Sequence, residues 1–194
     1  MRALFLILSL LIAAPVRAGH GMLNAFAGIE WLPAAGTTPD APYYALDTWD
    51  ESLRLKLAKT PDAVIDLALA DAREKLAELE AMLHARKEAA ARVAIERYRA
   101  LIEAASAQMN GASPPTIAKF ATALLEHQYI VSTDYMDLPR DARLVVKEVV
   151  DTAASHYAEV SRRLPRGTKD ALVFKEEEVR WSWDMARAAD EQGL

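Results

Sequence analysis

The run from Thr60 to Met109 constrains the chain more than any other stretch. Apolar side chains recur there at alternating steps of four and three: Ile65, Leu69, Ala72, Leu76, Leu79 and Leu83, then Ala91, Ile95, Tyr98, Ile102, Ala105 and Met109. That spacing lays one apolar stripe along a helix. Thr60-Pro61 supplies a capping hydroxyl and a first-turn proline at its start. Continuing the first seam lands on Lys87, which would put a charge in the core. The spacing therefore predicts a turn over 84–87 and two antiparallel helices, each covering the other's apolar face.

The same periodicity extends in both directions. Leu32 to Pro42 holds three prolines, a glycine and two threonines and reads as an extended linker. Pro42 suits a first helical position, and Leu46, Trp49, Leu53 and Leu57 mark the apolar face of a first core helix over 43–58. Asn110 to Pro115 is a stop and restart, with a glycine past one helix and a serine cap with proline behind it. Ile117, Phe120, Leu124, Gln128 and Val131 carry the next helix. Val146, Val150, Ala153, Tyr157, Val160 and Leu164 form the clearest seam of all, after a start at Asp137-Leu138-Pro139. A last helix runs over 169–189, with Phe174, Trp181 and Met185 on one side and Val179 and Trp183 close by. No stretch alternates apolar and polar long enough for a strand. The expected fold is an all-α antiparallel bundle of about five core helices plus a C-terminal one.

The beginning of the chain reads as an export leader. Met1-Arg2 is a short positive start, and Ala3 to Val16 is apolar except for Ser9. Val16-Arg17-Ala18 places small residues at minus three and minus one, so cleavage after Ala18 is expected. The alternative is retention as an anchor, for which the apolar run is shorter than the ~20 residues a span needs. The expected organisation is a signal peptide at 1–18, an N-terminal segment and linker at 19–42, a bundle at 43–164, and a C-terminal helix at 165–194. The chain contains no cysteine, so neither lipidation after the leader nor a disulfide is available, and packing alone must hold the fold. Without Arg2 and Arg17, 21 basic residues face 28 acidic ones, a net charge of −7. That balance argues against nucleic acid or an anionic membrane surface as partner.

One set of residues points to a known family. Pro39-Asp40-Ala41-Pro42-Tyr43-Tyr44-Ala45-Leu46, then Trp49 and Leu53, then the helix from Ala68 to Leu79, resembles the bacterial family catalogued as domain of unknown function 5667. That family opens with Pro-x-Ser-Pro-x-Tyr-x-Leu followed by a Leu-Ala-x-x-Arg-Leu-x-Glu helix. Ala123-Leu124-Leu125-Glu126-His127 and Leu138-Pro139-Arg140-Asp141-Ala142-Arg143 are similar to its later helices, so the resemblance covers about 38–164. Ala41 stands where many members carry serine, and Asp47 where a lysine is common. The resemblance implies a helical fold, a location outside the cytoplasmic membrane and attachment to larger envelope proteins. It implies no activity and no functional residues.

Site chemistry is sparse. His20, His84, His127 and His156 contain none of the His-x-x-x-His, His-Glu-x-x-His or Glu-x-x-His spacings of bundle metal sites. Glu80 and His84 lie at i and i+4 and read as a surface contact. His127 and His156 read as packing or network residues. A terminus beginning Gly19-His20 has its histidine second, where the tight square-planar copper or nickel site wants it third. Met22, Met82, Met109, Met136 and Met185 are scattered as core fillers would be. There is no Gly-x-Ser-x-Gly turn, phosphate-binding glycine loop, dinucleotide fingerprint or cysteine nucleophile. Glu74, Glu78 and Glu80, interleaved with Arg73 and Lys75, read as a solvated face with i,i+4 pairing.

Two features remain as docking candidates. Glu176-Glu177-Glu178 followed by Arg180-Trp181-Ser182-Trp183 sets an acidic cluster beside two tryptophans on the last helix. Glu176, Glu177, Trp181 and Trp183 form a partner-docking surface if that helix leaves them outside, whereas Trp181 and Trp183 cap the core if it packs fully. The 19–31 segment poses the same choice through Phe26, Ile29 and Trp31. The expected function is an exported, soluble, non-catalytic binding or accessory module of the cell envelope, with an envelope protein as partner, no catalytic, cofactor or metal site, and no membrane span once the leader is removed. The alternative is a periplasmic metal-binding or envelope-stress protein.

Overall fold

The computed structural model describes residues 25–27, 29, 31–138 and 140–192, so the leader expected at 1–18, His20 and Met22 lie outside the described residues. Six α-helices follow one another: α1 (Tyr44–Leu57), α2 (Pro61–His84), α3 (Glu88–Ala107), α4 (Pro114–Asp134), α5 (Arg140–Ser161) and α6 (Arg166–Glu191). No strand occurs among the described residues. The antiparallel pair α2 and α3 forms one side of the bundle, α5 packs on both α3 and α4, and α6 lies along α4.

The two seams of the central pair are buried as their spacing predicts, from Ile65 through Leu83 and from Ala91 through Met109. Thr60 caps α2 by accepting from the Ala63 amide at 3.2 Å, with Pro61 in the first turn. The turn at 84–87 closes as a Schellman motif: Lys87 N donates to Met82 O at 2.8 Å and Arg86 N to Leu83 O at 3.0 Å. Arg86 takes φ 57° to do this, a left-handed position that usually falls to glycine. Gly111 serves the next turn, where an added Cβ would sit 2.8 Å from Pro61 Cγ. Ser113 stands at the N-cap of α4, but its hydroxyl bonds the Thr116 hydroxyl at 3.0 Å, and its amide donates to Asp62 Oδ1 at 2.8 Å.

Two expectations change in three dimensions. α1 starts at Tyr44, with Tyr43 at the N-cap, so Pro42 precedes the helix and does not open it. Its apolar face points outward: Leu46, Trp49 and Leu57 are 65%, 64% and 66% exposed, and Leu53 is also exposed. The face that meets the bundle is the opposite one, with Tyr44 and Glu51 buried. The seams of α2 are already filled by α3 and α4, and what α2 leaves for α1 is a charged strip. α6 behaves similarly, burying Leu172, Val179 and Ala186 and leaving Phe174, Trp181 and Met185 outside. Its C-terminal half is tied down by Asp190, which accepts from Arg143 of α5 and from the Tyr135 hydroxyl.

The 32–42 linker lies on the bundle. Gly36 approaches Glu74 so closely that a Cβ there would overlap the carboxylate, and Lys87 pairs with Asp40 at 2.5 Å. Before it, Phe26 is buried and stacks on Tyr129 of α4 with ring centroids 4.2 Å apart, while the Lys175 ammonium of α6 sits 4.7 Å from its ring centre. The Ala25 amide donates to Glu178 at 2.7 Å. This part of the N-terminal segment therefore covers the bundle, and Trp31 stays exposed.

Candidate functional site

The strip of α2 under α1 carries Asp71, Lys75 and Glu78, all buried. Lys75 Nζ lies 2.5 Å from Glu51 Oε1 of α1, 2.6 Å from Glu78 Oε1 and 3.8 Å from Asp47 Oδ2, and it stands 5.1 Å from the centre of the Tyr44 ring. Arg97 of α3 reaches the other oxygen of Glu51 and the Thr48 carbonyl, both at 3.2 Å. Arg54 of α1 approaches Asp71 at 3.4 Å. Three helices thus meet on one ionic network. The solvated face expected for Glu74, Glu78 and Lys75 is corrected here: Lys75 and Glu78 are fully enclosed, Glu74 is half-buried under Gly36, and Glu80 alone keeps its surface contact, 3.8 Å from His84.

Burial sets the electrostatics of this network. It raises Glu78 and lifts Asp71 to about 6, the latter against the pull of Arg54. For Lys75 burial alone would favour the neutral amine, but its hydrogen bonds to Glu51 and Glu78 outweigh that and hold the proton above the ordinary lysine range. A lysine so held offers no free amine for nucleophilic or base chemistry. Asp47, Glu74 and Glu78 place carboxylate oxygens within 4.8 Å of one another, the donor set a hard divalent cation prefers. The Lys75 ammonium already supplies positive charge to two of the three. The sequence signal for the network was the four-three spacing of Asp71, Lys75 and Glu78 on one side of α2.

A second buried titratable group, outside this network, is His127. Its Nδ1 lies 3.2 Å from the Tyr98 hydroxyl, deep between α3 and α4, and its Nε2 has no hydrogen-bond partner among the described residues. Burial, with Arg73 nearby, pushes its pKa down to about 3, so it is a neutral core histidine, in line with the network role expected from its seam.

The four docking residues of α6 divide between two surfaces. Glu176 and Trp183 line an open groove between α5 and α6, floored by α4, with Val150, Ala154 and Tyr157 opposite and Arg180 at the rim. Tyr157 donates its hydroxyl proton to Glu176, and Trp183 is half-buried with its ring edge-on to Tyr135 at 5.2 Å. Glu177 and Trp181 lie on the outer side, Trp181 60% exposed beside Phe174 and Met185. Neither full capping nor a single continuous surface describes them: Trp183 packs and Trp181 does not.

A family model described as "Domain of unknown function (DUF5667)" matches residues 36–156. No curated protein and no solved structure matches the chain. The match begins in the linker that covers Glu74 and contains every residue of the ionic network.

Proposed function

We propose that this chain, which belongs to the domain of unknown function 5667 family, is an exported, non-catalytic helical binding module of the bacterial cell envelope. The observation that carries the reading is the groove between α5 and α6: an apolar floor from Leu125 and Val179, the Trp183 ring on one wall, and Asp151, Glu176 and Arg180 at the edges. Such a channel fits the apolar face of an amphipathic segment from a partner protein, with the rim charges setting its register. Export is inferred from the leader at 1–18. No helix among the described residues is long and apolar enough to cross a membrane.

The test is cross-linking capture from native envelopes with the tagged chain and with an Ala154→Arg variant that fills the groove. A partner captured by the parent and lost by the folded variant supports the reading, and capture that survives Ala154→Arg overturns it. The metal-binding alternative has its own observation in the Asp47, Glu74 and Glu78 carboxylates. It requires calorimetric uptake of a divalent cation that Glu74→Gln weakens; silent titrations with calcium, zinc, copper and nickel would end it.

A further inference from the structure

We propose that Asp47, Glu74 and Glu78 bind one hard divalent cation of the calcium class, and that this ion clamps α1 and the linker at Gly36 onto α2. The site is that of the metal-binding alternative, on which this rests, and it is independent of the groove; what is added is the class of ion and its effect on the fold. Asp47 comes from α1, Glu74 and Glu78 come from successive turns of α2, and the Gly36 backbone lies against the Glu74 carboxylate. Oxygens of all three residues lie within 4.8 Å of one another. That spacing lets each reach a central ion at roughly 2.3–2.6 Å, the calcium–oxygen distance, whereas magnesium demands a tighter octahedron. Histidine and cysteine, which zinc, copper and nickel favour, are absent from the set.

Three neighbouring carboxylates alone do not make a site, and Lys75 stands among these. Two further observations point to a ligand. The first is a group of buried polar atoms left without partners. Tyr44 is 9% exposed, with its ring against the Lys75 ammonium, and its hydroxyl, which feels the Glu78 charge, completes no hydrogen bond. Lys75 takes Oε1 of Glu78 and leaves Oε2 sealed from solvent and unbonded. Asp47 Oδ2 is also buried and unbonded, 3.8 Å from Lys75 Nζ and so beyond hydrogen-bond reach. Glu74 makes no hydrogen bond or ion pair with any described residue. Buried oxygens are normally satisfied, and a coordinated cation satisfies several at once. The second observation is charge. The network holds five carboxylates, from Asp47, Glu51, Asp71, Glu74 and Glu78, against the three cations Arg54, Lys75 and Arg97. One divalent ion balances that surplus. Since α1 buries only Tyr44 and Glu51, its attachment is largely ionic, and an ion shared by Asp47, Glu74 and Glu78 strengthens it.

Calorimetric titration of the full chain with calcium chloride should give one site with a Kd of roughly 0.1–1 mM, the range of extracellular calcium modules. Calcium at roughly 10 mM should raise Tm by a few degrees and slow amide hydrogen exchange in α1 and residues 36–42, leaving α5 and α6 unchanged. Glu74→Gln and Asp47→Asn stand at partly exposed positions, so the fold survives them. Each should weaken uptake by at least about tenfold, whereas Glu80→Gln and the groove variant Ala154→Arg should not change it. Silence toward calcium up to roughly 10 mM, uptake indifferent to both Glu74→Gln and Asp47→Asn, or protection that spares α1 would each overturn the proposal. Uptake of zinc or nickel that His84→Ala weakens and Glu74→Gln does not would overturn it as well, while leaving a metal-binding protein of another kind; silence toward every cation ends both.

Discussion

Lys75 Nζ of α2 and Glu51 Oε1 of α1 meet at 2.5 Å with both side chains sealed from solvent, and this contact decides which way α1 faces. A buried charge without its partner is costly, while a buried pair replaced by apolar residues of similar volume is often neutral or stabilising. Lys75→Met alone should therefore cost about 3–5 kcal/mol, because Glu51 and Glu78 lose their counter-charge. The triple change Glu51→Met, Lys75→Met, Glu78→Leu should recover most of that loss. Urea unfolding of the three proteins checks the order.

Asp71 makes the network sensitive to acid in an unusual direction. Its folded pKa of about 6 lies above the ordinary carboxylate value of 3.8, so between those limits the folded chain binds more protons than the unfolded one. This group's contribution is then largest below about pH 4 and is lost as pH rises through 6, with a slope of at most about 1.4 kcal/mol per pH unit. Asp71→Asn should flatten that part of the stability profile. Unfolding free energies at intervals from pH 4 to 7 measure it.

His127 acts in the opposite sense. It is neutral in the fold with a pKa near 3, against 6.5 for an ordinary histidine. The unfolded chain takes up its proton first, so stability is full above pH 6.5 and falls on acidification. By pH 5 the loss is about 2 kcal/mol. His127→Phe should remove this acid-dependent loss while adding a pH-independent cost of about 1–3 kcal/mol for the Tyr98 hydroxyl left without its partner. Comparing unfolding at pH 5 and pH 7 separates the two effects.

Arg86 closes the α2–α3 turn at φ 57°. A side chain in that region is strained where glycine is not, so Arg86→Gly should stabilise the fold by up to about 1 kcal/mol. For a chain of this size that raises Tm by about 2–4 °C, readable by differential scanning calorimetry.

The helices themselves were legible because their evidence is local. Alternating four-three spacing, Thr60-Pro61 at the start of α2, the charge that the seam would have met at Lys87, and the Asn110-Gly111 break are all read within a turn or two of where they act. The candidate site was only partly so. Val179 against the bundle and Trp181 outside it are two residues apart on one helix, and which side of α6 is covered depends on α4. The solvated face expected around Glu74, Lys75 and Glu78 became part of a buried ionic network because such residues look like ordinary surface charges until α1 and the linker are laid over them.

The sequence by itself determined an all-α chain whose described residues form six helices, with boundaries a few residues from those observed, no disulfide, and membership of one family, since periodicity, capping and composition are properties of contiguous residues. The tertiary structure alone decided which face of α1 turns inward. An amphipathic helix normally buries its apolar side, but α2 offers it Lys75 flanked by Glu78, and Glu51 and Asp47 of α1 meet that charge. Satisfying buried ions outweighs burying Leu46, Trp49 and Leu57, and the apolar stripe is left outside.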